Sequence, residues 1–193
     1  LACTSCSDSW LDLNPSTSVP TDQAFSSLED AQSALNGIYR LASAHSYYGD
    51  NFFYFGDCRA ADVQARMTKG DGRRVSPYYE YNVKATDSFN SSLPWNQVYK
   101  VIRQTNNLIA ATESGLIKTT DEAALNEIKA QALAMRGLAL YDLIRVFAMP
   151  YSYDNGQSLG VPIVTTATDQ SSKPARNTVA ECYDQIITDL TNS

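Results

Sequence analysis

The residues best suited to chemistry lie between positions 57 and 96. Tyr78, Tyr79, Tyr81 and Trp95 offer flat apolar rings, and Asp57, Arg59, Asp62, Arg73 and Asn96 offer hydrogen-bonding groups among them. A sugar presents apolar C–H faces together with many hydroxyls. Aromatic platforms flanked by amide, carboxylate and guanidinium groups hold both parts. These nine residues are therefore the candidate ligand-binding set. The same rings also have a structural use, pinning a long loop onto a helical core. Trp95 opens an apolar helical face, and Phe52, Phe53 and Phe55 suit a core better than a site.

Catalytic constellations are missing. Asp57 and Asp62 would act as a glycosidase pair only if a cleft fixed their separation. No nucleophile, base and orienting group accompany them. His45 is the sole histidine, which removes most acid–base and zinc arrangements. Following a helix end, it reads as a capping or surface group. Cys58 and Cys182 are too isolated to complete a metal site with Cys3-x-x-Cys6. In an oxidising exterior they would pair; as buried free thiols they would not, and sequence leaves both readings open. Arg136, among small residues inside a helix, fits a structural arginine that satisfies carbonyls or a carboxylate. No catalytic residue, no metal and no cofactor are expected.

These groups must be held by helices. Thr119–Pro150 is the longest apolar-periodic stretch. Leu125, Ile128, Ala132, Met135, Ala139, Leu143 and Val146 recur at steps of three and four, the spacing of one helical face. Leu133, Leu138, Leu140, Ile144 and Phe147 widen the stripe, so this helix is buried on more than one side. Thr119 with Glu122 predicts a capping box at its start, and Pro150 ends it. A helix over 95–113 precedes it, with Gly115 as the left-handed terminator. The short link between the two predicts an antiparallel hairpin. Ser27 with Asp30 predicts a cap for a helix reaching about residue 44. Gly37 within it suggests close helix–helix approach. Thr178 with Glu181 caps a last helix carrying Val179, Tyr183, Ile186, Ile187 and Leu190. Between the helices, 45–93 and 151–176 read as long insertions, loops of a length that is usually functional or disordered. Within them 52–62 suggests a short strand or turn leading to a helical turn, and 76–83 and 160–164 suggest extended pieces.

Composition bounds the rest. A 193-residue chain with 44% hydrophobic and 19% charged residues forms a packed core and fits one domain. Its net charge of −6 disfavours nucleic acid, which needs a basic face. No run approaches the ~18 apolar residues of a membrane span. The start, LACTSCSDSWLDLNP, opens on Leu1 and not on Met. It resembles the tail of a bacterial lipoprotein signal, in which a cysteine after small residues is acylated. Cys6, followed by a polar Ser7-Asp8 tether, is the expected lipidation site, with Cys3 the alternative. Residues 1–8 are thus a signal tail and tether, and 9–193 a helical domain. The apolar face of the last helix has few partners within the chain, so a front portion of a longer protein is expected.

Five segments in order carry a family resemblance: CSDSWLDLNP, DAQSALNGIYRLA (30–42), WNQVYKVIRQTNNLI (95–109), EIKAQALAMRGLALYDLIRVFAMP (127–150), and GVPIV followed by KPARNTVAECYDQIITDL (173–190). Together they resemble the SusD-like (RagB/SusD) outer-membrane lipoproteins. The resemblance implies an all-α fold: tetratricopeptide-like helix pairs in a right-handed superhelix, with long inserted loops and little or no strand. It also implies a lipid-anchored surface protein of the outer membrane. Such a protein is no enzyme. It captures oligosaccharides, or in some members peptides, for a SusC-like TonB-dependent transporter. From the residues alone, a helical-repeat scaffold that binds another protein is the alternative; burial of all three tyrosines 78, 79 and 81 would favour it.

Overall fold

The computed structural model describes residues 25–60, 76–82, 94–166 and 172–193. Every regular element there is helical, and β-type pairing is limited to two isolated bridges, Ser27–Lys118 and Leu159–Thr178. The all-α expectation therefore holds. Cys3, Cys6, Asp62 and Arg73 lie outside the described residues.

Caps set the helix starts. Helix α1 (Leu28–Ala42) begins with a reciprocal box: the Asp30 amide donates to the Ser27 hydroxyl at 3.2 Å, and the Ser27 amide donates to the Asp30 carboxylate at 3.0 Å. The last helix, α6 (Val179–Thr191), repeats this with Thr178 and Glu181. Helix α4 (Trp95–Glu113) ends before Gly115, whose φ of +71° is the left-handed terminator. Helix α5 (Glu122–Phe147) corrects the expected Thr119–Glu122 box. Asp121 is the cap, accepting from the Ala124 amide at 3.0 Å, while the Thr119 hydroxyl accepts from the Asp121 amide. A carboxylate two residues closer to the first turn reaches an orphan N–H that the threonine cannot, and it also meets the positive helix end.

The long helices pack in alternating directions. The α4 C-terminal Glu113 pairs with Lys129 near the start of α5 at 2.7 Å, while Trp95 at the start of α4 lies edge-on to Phe147 at the end of α5. Helix α6 runs back along α5, bringing Asp189 to Arg136 and Tyr183 to Tyr141. Helix α1 lies antiparallel to α4, with the Gln97 amide donating to the Leu41 carbonyl at 2.8 Å. Consecutive antiparallel packing of this kind is that of helix-pair repeats. Leu35, Ile38, Val98, Val101, Leu108 and Leu143 fill the shared core at 1% exposure or less, each contributing about 1.5–3 kcal/mol of burial. Gly37 plays no part in that packing, because its position faces open space. The close approach is at Gly137, where a Cβ would lie 3.2 Å from the Leu190 side chain and 3.3 Å from Asp189 Cβ.

The first insertion is helical at 51–57, where the sequence suggests a short strand or turn leading to a helical turn, and at 76–79, where it suggests an extended piece. A wide turn, His45–Gly49, leads into α2 (Asn51–Asp57), and Ser76–Tyr79 forms a single turn, α3. A lone strand would leave its backbone groups unpaired, whereas a helix satisfies them internally. Pro77 falls in a first turn, where a missing N–H costs nothing. Two hydroxyls fasten the insertion to α5. Tyr47 and Tyr48 stack with centroids 4.2 Å apart, and both donate to Asp142 Oδ2, Tyr47 at 2.6 Å. His45 Nδ1 meets Asp50 Oδ2 at 2.8 Å across the turn. In the second insertion, residues 160–164 form no regular element, and Gly160 and Val161 are tied to Asn177 by two backbone hydrogen bonds.

Candidate functional site

The first half of α4 builds a cleft of about 600 Å³ against the segment 160–166 and residues 172–174. Asn96, Tyr99, Lys100 and Arg103 line it. Their spacing of i, i+3, i+4 and i+7 puts them on one helical face. Trp95 stands at the head of this face, half-buried, with its ring 5.0 Å from the rings of both Tyr99 and Phe147. The opposite wall is Pro162, Val164 and Thr166, with Ser172 and Pro174 at the rim.

The wall is held in place from α4. The Tyr99 hydroxyl donates to the Pro162 carbonyl at 2.8 Å. Burial pushes that hydroxyl's pKa well up, so it stays a neutral donor. Two turns on, the Asn106 amide donates to the carbonyls of Val164 at 2.9 Å and Thr166 at 3.3 Å. The Asn106 carbonyl in turn accepts from Arg136 Nη1 at 3.0 Å, and Arg136 closes a two-toothed pair with Asp189 at 2.8 and 2.6 Å. Arg136 is thus structural, as its sequence setting implies. A preformed cleft with aromatic walls and convergent amide, hydroxyl and cationic groups can stack and hydrogen-bond a ligand without reorganising.

The predicted site residues divide. Trp95 and Asn96 reach the cleft. Arg59 and Tyr81 come together elsewhere: the guanidinium lies 4.7 Å from the Phe55 ring centroid and 5.8 Å from that of Tyr81. The Tyr81 hydroxyl also donates to the Arg59 carbonyl. Tyr81 is 67% exposed and holds a φ of +53°, a backbone region that a bulky residue seldom occupies. Asp57 and Tyr79 are exposed nearby in sequence. Tyr78 leaves the candidate set. At 2% exposure it packs with Cys58, Tyr54 and Phe55, and burial pushes its hydroxyl up to about 12. Cys58 and Cys182 are both buried and unpaired. Phe53, expected in the core, is 47% exposed, because among the described residues the 51–57 helix has too few neighbours to cover both its sides. Sequence reasoning missed Tyr99, Lys100 and Arg103. The signal was available in the helical stripe that starts at Asn96, but it was read only for its apolar side.

Comparison with known proteins bears on the whole chain. Residues 9–193 match a SusD-like family model described as starch-binding and associating with the outer membrane. The chain is 32% identical over 190 residues to SusD-like protein P2 of Formosa agariphila, covering 96% of this chain and 34% of that protein. It superposes on the crystal structure of a SusD superfamily protein from Bacteroides thetaiotaomicron with a TM-score of 0.81 at 66% identity, covering 86% of this chain and 36% of that one. A SusD superfamily protein from Bacteroides vulgatus gives a TM-score of 0.78 at 32% identity, with 86% and 37% covered. The chain spans about a third of the length of these relatives.

Proposed function

This chain belongs to the SusD-like family, and from that premise we propose that it is the helical part of a surface lipoprotein that captures oligosaccharides for a SusC-like TonB-dependent transporter. Acylation of Cys6, or alternatively Cys3, anchors it to the outer membrane, and residues 9–193 form the ligand-presenting domain. Capture is binding without catalysis. The observation that carries this reading is the α4 cleft, in which the half-buried Trp95 and Tyr99 rings stand beside the Asn96 amide. The rings stack on the apolar face of a sugar, and the amide exchanges hydrogen bonds with its hydroxyls. Arg59, Tyr81, Asp57 and Tyr79 make a second, outlying contact zone for a longer oligosaccharide. Exposure of Tyr79 and Tyr81 supports capture over the scaffold alternative, which would bury all three tyrosines of that segment.

Isothermal titration of the complete protein against neutral and charged oligosaccharides and a peptide panel tests the proposal. Oligosaccharide binding that weakens in Asn96→Ala and in Trp95→Phe is the expected result. Binding to peptides alone redirects the ligand class to the peptide-binding alternative, and binding to no panel member overturns capture.

A further inference from the structure

We propose that the sugar taken by the α4 cleft is anionic, carrying carboxylate or sulfate groups. This rests on the cleft being the capture site and names the chemistry it selects. Lys100 and Arg103 are both exposed and lie on the cleft-facing stripe of α4, three residues apart. Neither makes a hydrogen bond or ion pair with another described residue. No carboxylate stands among the described lining of this cleft. Two other concave surfaces are arranged differently. The 790 Å³ cavity at the far end of α5 carries Glu113 and Asp189, and the groove between α1 and α5 carries Glu29 and Glu127. Other structural cations are committed: Lys129 to Glu113, Arg136 to Asp189, and Arg176 to the carbonyls of Gly160, Phe147 and Leu159.

In a chain of net charge −6, two cations with no partner among the described residues, facing a cleft whose described lining holds no carboxylate, concentrate positive potential where an oligosaccharide would lie. Residues three apart on a helix hold their Cβ atoms about 5–6 Å from each other, close enough to engage one charged sugar or two successive ones. The Arg103 guanidinium has the fork geometry for a carboxylate or sulfate, and the Lys100 ammonium supplies a point charge. Trp95 and Tyr99 supply the stacking faces that both neutral and charged sugars use. Charge therefore supplies selectivity among sugars.

The test is titration of the complete protein with three probes: tetragalacturonate, a sulfated galactan tetrasaccharide and maltotetraose. The expected result is binding to at least one anionic probe about tenfold or more tighter than to maltotetraose. That preference should fall as NaCl is raised from about 50 mM to about 500 mM, since exposed charges are screened over a Debye length. Lys100→Met with Arg103→Met should bring the affinity for the anionic probe down to within about threefold of that for maltotetraose measured on the same variant. Both side chains are exposed and neither pairs with another described residue, so the variant folds, which circular dichroism verifies. The carboxylate and sulfate arms identify which anion is read. Maltotetraose bound as tightly as the tighter-bound anion, or a preference that salt and the double variant leave intact, overturns the anionic assignment and leaves capture standing. Failure of all three probes also overturns the anionic assignment, and the wider panel of oligosaccharides and peptides then decides capture itself.

Discussion

Replacing Arg136 by leucine is the most revealing perturbation, because the residue joins the core to the cleft. Arg136 is 8% exposed and Asp189 1%. The substitution deletes the two-toothed contact and leaves the Asp189 carboxylate with one remaining donor, the Gln185 amide at 2.9 Å. Stranding a buried charge in this way costs roughly 3–5 kcal/mol. For a chain of this size each kcal/mol moves the melting temperature by about 2–4 °C, so the expected fall is about 6–20 °C. Most of the cost is the unpaired charge and little is the lost attraction. The double variant Arg136→Leu with Asp189→Leu should therefore recover most of it. Thermal and urea unfolding measure both. Arg136→Leu also frees the Asn106 carbonyl and lets the amide turn away from Val164 and Thr166, so weaker binding at the cleft should accompany it. A loss below about 1 kcal/mol, or a double variant no better than the single, would refute a buried ion pair as the support of the cleft wall.

Three further outcomes are expected. Gly137→Val drives a branched side chain against Leu190 and Asp189 and should cost about 1–3 kcal/mol by overpacking; equal urea midpoints would show that α5 and α6 do not touch there. Burial raises the Asp142 carboxyl above its ordinary 3.8, outweighing the Tyr47 and Tyr48 hydroxyls and Arg145, which lower it. The folded state then holds that proton more tightly than the unfolded chain. The contribution is complete below the unfolded value and is lost as pH rises through the folded one. Asp142→Asn removes this loss, so its melting temperature relative to the parent should rise between about pH 4 and about pH 7, and a pH-independent difference contradicts the assignment. Burial likewise raises the Cys58 and Cys182 thiols, so iodoacetamide should label them only after unfolding, as peptide mapping would show; labelling in the native state places them at the surface.

Much of the helical frame is legible in the sequence because it is local. The stripe over 95–113 and the Ser27–Asp30 and Thr178–Glu181 boxes are decided within one or two turns, and the helices start where those residues place them. The start of α5 slipped because two capping groups compete there and only geometry selects Asp121. The aromatic insertion was misread for a related reason. A run such as Asn51–Asp57 has rings on every side, and so shows neither a period of two nor one of 3.6.

The site was less legible, because it depends on partners far apart in the chain. Arg136 could be recognised as structural, but Asp189 lies 53 residues away and Asn106 lies 30 away. Nothing in their spacing announces that together they fix Val164 and Thr166 as a wall. Tyr78, Tyr79 and Tyr81 look interchangeable in sequence, yet one is core and two are exposed. Burial is settled by what folds against a ring, and for Tyr78 that is the 51–58 segment. The one part of the cleft that needed no distant partner was the stripe Asn96, Tyr99, Lys100, Arg103. A helix fixes the direction of those four side chains by spacing alone. A polar face on a helix whose other face is buried is a positioned array of functional groups, carrying the same 3.6-residue period as the apolar one.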